Sequence, residues 1–279
     1  MTITSSQANF FDLNSHSRFS PRLQKNALLV CANESYQRSE EDLFSLTGIK
    51  MSHSTLQRLV NKQELDLPDS KLGVQEMSLD GGKIRLRSEE TGKSGEWKDY
   101  KALSLNGIYL GAFFQENQSL IDWVNSQKLL EPVYCLGDGH PGIWKLFESV
   151  GESQSRIEIL DWFHLKENLH KVGGSLKRLK QAENLLWHGK VESTLQLFSH
   201  LKKKVARNFC QYLNNHRSRI INYKLHQKEQ ISSIGSGSIE SGIKQIGIRV
   251  KKTGSQWKKE NVNKILSLRC GYLNGVLSQ

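Results

Sequence analysis

The chain has 279 residues, of which 37% are hydrophobic, and its formal net charge is +11. This length and composition predict a globular protein with a buried core and exclude a disordered chain. No apolar run approaches the roughly 20 residues of a membrane span, and the N-terminus lacks the charged and apolar regions of a signal peptide. The four cysteines are far apart and form no CxxC pair, which fits neither a zinc site nor a disulfide framework. We therefore expect a soluble, cytoplasmic protein that does not bind membranes.

The positive charge is concentrated in the second half of the chain. Residues 1 to 160 contain 17 Lys and Arg against 21 Asp and Glu, whereas residues 161 to 279 contain 22 against 7. Such an excess favours nucleic acid, because contacts with phosphates release condensed counterions. The second half is therefore predicted to bind a polyanion, and a solvated basic surface without a partner is the alternative.

The first 70 residues are predicted to form a small helical region. Within it, EEDLFSLTGIKMSHSTLQRLVNKQ contains two short helical patterns around a turn at Gly48, a spacing that resembles a helix-turn-helix. The apolar residues expected to pack the two helices together are Leu43, Leu46, Ile49, Leu56 and Val60. Thr55, Gln57 and Arg58 would then face a DNA groove, although helical hairpins that bind nothing have the same pattern.

From residue 74 the apolar pattern becomes that of strands. VQEMSLDGGKIRLRSE predicts a strand that ends at Asp80, a Gly-Gly turn and a second strand. YKALSLNGIYLGAFF predicts a further strand, and PVYCLGDGH and RIEILDWFH each predict a short strand that leads into a helix. Antiparallel strands followed by helical crossovers predict an α/β fold, in which helices cover both faces of a mixed sheet.

Residues 164 to 232 are predicted to be almost wholly helical. One buried stripe is expected from Leu197, Phe198, Leu201, Val205 and Phe209. The basic run of Lys202, Lys203 and Lys204 would lie on or beside the opposite face, in contact with either water or phosphate.

Three carboxylates are candidates for a metal site. Asp80 and Asp138 come at predicted strand ends, where ligands bind in α/β proteins. Glu240 is an isolated acid at a predicted helix start within the basic half. Carboxylate oxygens suit Mg²⁺ or Mn²⁺, and two such ions about 3.5 to 4 Å apart activate a nucleophile and stabilise the leaving oxygen of a phosphodiester. The structural alternatives are turn or helix caps for the aspartates and a first-turn helix acid for Glu240.

In SLDGGKIRLR, YCLGDGHPGIW and GSGSIESGIKQIGIRVKK, these three residues resemble the DDE triad of insertion-sequence transposases of the Kra-type group. The resemblance covers about residues 40 to 275. It implies an RNase-H-like catalytic domain with a mixed five-stranded sheet, and two Mg²⁺ or Mn²⁺ ions bound by Asp80, Asp138 and Glu240. It also implies cleavage and transfer of strands of double-stranded DNA by a homodimer or higher oligomer in the bacterial cytoplasm, at the nucleoid.

The segment DWFH fits a (C/D)xxH signature that several such families carry. The resemblance therefore implies that Asp161 and His164 lie near the site as supporting residues and not as metal ligands. A strand-end cap and a histidine satisfied within the core are the alternatives.

The distance between the second and third acids predicts the domain organisation. Glu240 follows Asp138 by 102 residues, far more than one crossover needs. We therefore predict an N-terminal helical region in 1–70, the first part of the RNase-H-like domain in 71–163, a helical insertion in 164–232, and the catalytic helix with a basic C-terminal segment in 233–279. Only 79 residues precede Asp80, fewer than is usual in the group, which favours a shortened copy with an intact triad. The alternative is a non-catalytic DNA-binding or regulatory product.

The C-terminal stretch GIRVKKTGSQWKKENVNKILSLR mixes basic and aromatic residues in a manner suited to phosphate contact and base stacking. The predicted DNA contacts there are Arg249, Lys251, Lys252, Trp257, Lys258 and Lys259, and those in the insertion are Lys202, Lys203 and Lys204. For the Trp-Lys pair, a snorkelling surface pair is the alternative.

Overall fold

The computed structural model describes residues 5–10, 18–90 and 92–278, and a five-stranded sheet lies at its centre. The strands are β1 (Val74–Leu86), β2 (Glu96–Leu105), β3 (Tyr109–Phe113), β4 (Leu129–Gly137) and β5 (Arg156–Leu160). They lie in the order β3-β2-β1-β4-β5. Strands β1, β2 and β3 pair antiparallel, whereas β1 with β4 and β4 with β5 pair parallel. The predicted α/β fold with an RNase-H-like mixed five-stranded sheet is confirmed.

Helices flank this sheet on both faces. Those before the sheet are α1 (Ser5–Phe10), α2 (Pro21–Cys31), α3 (Tyr36–Thr47) and α4 (His53–Lys62). Those within and after it are α5 (Asn117–Asn125), α6 (Pro141–Phe147), α7 (Trp162–Lys171), α8 (Leu176–Trp187), α9 (Val191–Phe198), α10 (Lys204–Asn215), α11 (Tyr223–Lys228), α12 (Gly237–Val250) and α13 (Val262–Leu273). In the described part of the chain, no helix is both long and apolar enough to cross a membrane.

Two hydrophobic cores lie on opposite faces of the sheet. Leu103 and Leu105 of β2 belong to one core, and Tyr100 and Ala102 belong to the other, because successive side chains of a strand point to opposite faces. The first core is completed by helices α5 to α11, and the second by α2, α3, α4, α12 and α13. The N-terminal helices therefore share a core with α12, and the helices of the predicted insertion pack on the other face.

The predicted turn at the Gly-Gly pair is wrong. Strand β1 is continuous over 13 residues, and Gly81 and Gly82 pair with Lys101 and Tyr100 of β2. Only the pairing with β4 stops near Asp80, because Leu79 is the last β1 residue with a β4 partner. The missing side chain at Gly82 makes room for the ring of Tyr100.

Helices α3 and α4 form a helical hairpin at the position of the predicted helix-turn-helix. Gly48 ends α3 in the left-handed region at φ 69°, and the Ser52 side chain caps α4. The packing differs from the prediction, because Leu46 and Ile49 are exposed, whereas Met51 is buried in the second core. Of the residues expected to face a groove, Gln57 and Arg58 are exposed and Thr55 is half-buried.

The buried stripe predicted across residues 197 to 209 is interrupted. Helix α9 ends at Phe198 and α10 begins at Lys204, so the two ends of the stripe lie on different helices. Phe198 and Phe209 are buried and in contact, whereas Val205 is exposed. The three lysines 202 to 204 are exposed at the junction of the two helices.

We expect Gly82→Ala to lower the free energy of unfolding by about 1 to 3 kcal/mol through overpacking. An added Cβ would lie 2.1 Å from Cζ of Tyr100, which is buried. Gly81→Ala is the matched control, because its Cβ would meet only the carbonyl oxygen of Tyr100, at 4.0 Å. Urea denaturation of both variants measures the difference, and equal stabilities would contradict the close packing of Tyr100 on Gly82.

Candidate active site

Three aspartates lie in one row on neighbouring strands, where the pairing of β1 with β4 ends and where β4 and β5 themselves end. Leu79 of β1 pairs with Gly137 of β4, and Gly137 pairs with Leu160 of β5. The residues that follow these partners are Asp80, Asp138 and Asp161. Because the three strands run parallel, all three aspartates reach the same edge of the sheet, where ligands bind in open α/β folds.

Asp80 and Asp138 are half-buried, and each accepts one local hydrogen bond. The Gly81 N–H donates to Oδ1 of Asp80 at 2.6 Å, and the His140 N–H donates to Oδ1 of Asp138 at 2.7 Å. Within the described residues, neither Oδ2 accepts a hydrogen bond. Each of these carboxylates therefore keeps an oxygen available to a ligand.

Glu240 lies in the first turn of α12, and α12 packs against β1. The hydroxyls of Ser78 and Ser238 are 3.0 Å apart, and the Ser233 N–H donates to Oε2 of Glu76 at 2.7 Å. Ser78 and Asp80 point to the same face of β1, because strand side chains alternate. The start of α12 thus lies on the side of the sheet toward which Asp80 points.

Asp161 is fully buried, at 0% exposure, and both of its oxygens are occupied. Oδ1 accepts from the His164 N–H at 2.8 Å and caps α7, and Oδ2 accepts from the N–H and hydroxyl of Ser236 at 2.5 and 2.7 Å. Burial alone would raise the pKa of Asp161, but the hydrogen bonds from His164 and Ser236 outweigh it and lower the pKa to about 2. The carboxylate is therefore charged, and its hydrogen bonds join the start of α7 to the loop before α12.

His164 provides a positive charge within this acidic group. Its Nδ1 lies 3.3 Å from Oδ1 of Asp161, an ion-pair contact without the angle of a hydrogen bond. Asp161, followed by Asp138 and Glu240, raises the pKa of His164 to about 9, although burial opposes the shift. The imidazole is therefore protonated at neutral pH. One ligand atom from each of Asp161, His164 and Glu240 lies within 4.8 Å of the others.

The three acids of the predicted triad also interact with one another. Burial raises the pKa of Asp80, and the carboxylates of Asp138 and Glu240 raise it further, against the opposing effects of the Gly81 N–H and His164. A like charge within a few ångströms disfavours ionisation. Asp138 and Glu240 therefore act electrostatically on Asp80, whereas the group whose ligand atoms lie within 4.8 Å of one another in the described residues is Asp161, His164 and Glu240.

Sequence reasoning missed two residues that support this site. Ser236 is buried and supplies two of the donors to Asp161. Tyr212 of α10 packs against the loop that carries Asp138, since a Cβ added at Gly139 would lie 2.5 Å from its ring. The glycines around Asp138 did indicate a close approach, but nothing in the sequence identifies a tyrosine some 70 residues later as the neighbour.

Arg249 and Trp257 are buried, so neither is the exposed DNA contact that the sequence predicts. Arg249 is 1% exposed, and its Nε donates to the carbonyl oxygen of Cys31 at 2.6 Å. Trp257 is 8% exposed, and its Nε1 donates to the carbonyl oxygen of Val250 at 3.0 Å. The Arg249 guanidinium lies over the Trp257 ring, 4.9 Å from its centroid. The contacts of Trp257 with Arg249 and Val250 stabilise the packing of the C-terminal segment on α12. Because the Trp257 ring is buried, it is not available for base stacking.

The predicted lysine contacts differ in their surroundings. Lys252 is half-buried and forms an ion pair with Glu34, and Lys258 lies 3.7 Å from Glu260. Among the lysines predicted to contact DNA, those exposed to solvent are Lys202, Lys203, Lys204, Lys251, Lys258 and Lys259.

Comparison with known proteins finds one curated relative. No protein-family model matches the chain. It is 24% identical over 300 residues to a Streptococcus gallolyticus protein, "UPF0236 protein in vanSb 3'region". The alignment covers 95% of this chain, which spans only 66% of that protein's length. A solved structure, "Drosophila P element transposase strand transfer complex", gives a TM-score of 0.39 at 12% identity, over 99% of this chain and 84% of that chain. Similarity that low supports no argument.

We expect Asp161→Asn to lower the free energy of unfolding by about 2 to 3 kcal/mol, because an amide cannot accept all the hydrogen bonds of the buried carboxylate. The pKa of Asp161 is lowered to about 2 from its ordinary value of 3.8. The charged carboxylate therefore stabilises the fold fully above pH 3.8, and this contribution is lost as the pH falls toward 2. Asp99→Asn, an exposed control that removes the same charge, should cost less than about 0.5 kcal/mol. Chemical denaturation at pH 7 compares them, and equal costs would contradict the bridging role of Asp161.

We expect His164 to make stability fall as the pH rises from 6.5 to about 9. The folded pKa of about 9 lies above the ordinary value of 6.5, so the contribution is complete below pH 6.5 and is lost as the pH passes through 9. The difference in melting temperature between wild type and His164→Gln should therefore shrink across this range. A ring titration by NMR with a midpoint below pH 7 would contradict the ion pair.

Proposed function

We propose that this chain is the catalytic part of a DNA transposase, which cleaves and joins DNA strands with Asp80, Asp138 and Glu240. The proposal is supported by the positions of Asp80 on β1, Asp138 after β4 and Glu240 in the first turn of α12, and by the effect of the Asp138 and Glu240 carboxylates on the pKa of Asp80. The basic half of the chain contributes Glu240 to this group of acids, and acids beside basic residues suit a reaction in which metal and phosphate charges meet.

The donor set fits divalent cations. Asp80 and Asp138 each keep a free carboxylate oxygen, and the carboxylates of Asp138 and Glu240 disfavour ionisation of Asp80, so bound positive charge would relieve the repulsion. Hard oxygen donors are the ligands that Mg²⁺ and Mn²⁺ prefer. Two such ions, when bound, supply charge stabilisation at the attacking and leaving oxygens of a phosphodiester.

Asp161 and His164 support these acids without joining the metal ligands. Both oxygens of Asp161 already accept hydrogen bonds from His164 and Ser236. A protonated imidazole has no lone pair to give to a cation, and the pKa of His164 is raised to about 9. We assign Asp161 the positioning of α7 and α12, and His164 a positive charge beside the bound phosphate.

Double-stranded DNA is the proposed substrate. Residues 161 to 279 carry 22 Lys and Arg against 7 Asp and Glu, and exposed lysines on the insertion and C-terminal segment supply charge for phosphate contacts. Because two DNA ends have to be processed together, we propose a homodimer or higher oligomer on DNA. The Kra-type assignment remains part of this proposal.

We expect Glu240→Gln to reduce metal-dependent cleavage of a labelled duplex carrying the element end by a factor on the order of 10² or more. Binding of the same duplex should be unchanged or tighter, because a negative charge near the phosphates is removed. Glu167→Gln is the matched control, since Glu167 is an exposed acid on α7. Cleavage is measured with Mg²⁺, Mn²⁺ and EDTA. Binding by wild type without cleavage in either metal would overturn catalysis and favour a DNA-binding regulatory product.

A further inference from the structure

A polar cavity lies between the helix-turn-helix hairpin and the C-terminal segment. Its volume is about 660 Å³, and Arg249 contributes to its lining near the C-terminal end of α12. The other polar lining residues used below are Arg58 of α4, Arg87 after β1, and Lys258 and Glu260 of the C-terminal segment. We call it the Arg249 cavity.

The charge of the Arg249 cavity is strongly positive. Four cations and one carboxylate line it. Lys258 lies 3.7 Å from that carboxylate, Glu260. Arg58 and Arg87 are exposed, and within the described residues neither has an ion-pair partner. The cavity therefore has at least two cations that no acid of the described chain neutralises.

Arg249 supplies a buried donor that lacks an acceptor. Its guanidinium is held between two rings, with Cζ 5.2 Å from the Tyr36 centroid and 4.9 Å from the Trp257 centroid. Nε is bonded to Cys31, but Nη2 is buried and has no hydrogen-bond partner among the described residues. A buried unpaired donor costs free energy. An anionic acceptor that entered the cavity would relieve this cost and would meet a rigidly held guanidinium.

We propose that the Arg249 cavity binds a phosphate of the DNA backbone, with Arg58, Arg87 and Lys258 contacting its oxygens and Arg249 supplying the buried donor. The inference rests on the proposed function only in taking the phosphate from DNA. Duplex DNA is favoured over a free nucleotide because Gln57 and Arg58 of the hairpin are exposed beside the cavity, where a longer polyanion continues past it.

The fold sets the distance from this phosphate to the candidate active site. Helix α12 runs nine residues from Glu240 to Arg249, about 14 Å at 1.5 Å per residue. Strand β1 leads from Asp80 toward Arg87, seven residues later and about 23 Å away at 3.3 Å per residue. The bound phosphate therefore lies on the order of 14 to 23 Å from the phosphate at the carboxylates.

The test measures duplex binding in EDTA as a function of salt, so it does not depend on cleavage. Arg58→Gln and Arg87→Gln should each weaken binding about three- to tenfold and reduce the salt slope by about one. Lys128→Gln is the matched control, because it removes one positive charge from an exposed residue just before β4, at the opposite edge of the sheet from the aspartates. It should change neither quantity. Arg249 is left intact because its substitution also disturbs the core.

Interference by phosphate ethylation locates the contact. In wild type, ethylation of one phosphate other than the scissile phosphate should reduce binding, and this sensitivity should be lost in Arg87→Gln. Wild-type affinity and salt slope in both arginine variants would overturn the cavity proposal, even if cleavage is normal. A binding defect in a protein that never cleaves would support the cavity and overturn the catalytic proposal instead.

A competition arm distinguishes the source of the phosphate. Inorganic phosphate and a mononucleotide, each at millimolar concentration, should fail to displace the duplex, whereas unlabelled duplex should displace it. Displacement by the mononucleotide at concentrations far below millimolar, lost in Arg87→Gln, would overturn the assignment to DNA and identify a site for free nucleotides.

Discussion

The geometry of the candidate site depends on one buried carboxylate. A charged group that is removed from water remains stable only when hydrogen bonds replace its hydration. Asp161 meets this condition with the backbone of His164 on one oxygen and both donors of Ser236 on the other. These partners belong to the start of α7 and to the loop before α12. Asp161 and Ser236 are 75 residues apart in the sequence. The position of α12, and with it Glu240, follows from this interaction.

Helix α12 connects two regions of opposite charge. Its first turn carries Glu240 beside the carboxylates of Asp80 and Asp138, and its last turn carries Arg249 beside the basic cavity. Divalent cations would neutralise the first region, and phosphate would neutralise the second. One helix thereby connects the candidate site to the proposed phosphate-binding cavity, and its length determines the spacing between them.

The two hydrophobic cores explain why these regions keep a constant geometry. The N-terminal hairpin and α12 share one core, so the hairpin cannot change its orientation without disturbing the packing of α12. On the other face, the helices of the insertion pack beneath β4 and β5, and Tyr212 supports the loop of Asp138. Both additions to the sheet therefore act as parts of the site, because each buries apolar surface against an element that carries a carboxylate.

The local pattern of the sequence determined the class of fold, the helical hairpin, the acids at the strand ends and the concentration of positive charge, because periodicity and composition act over a few residues. Tertiary contacts decided the rest. Strand β1 continues beyond Asp80 because β2 remains its partner after β4 ends. Arg249 and Trp257 are buried because helices remote in sequence cover them. Charge and aromatic content cannot distinguish a surface contact from a core contact, since burial depends on the neighbours that the fold brings from elsewhere in the chain.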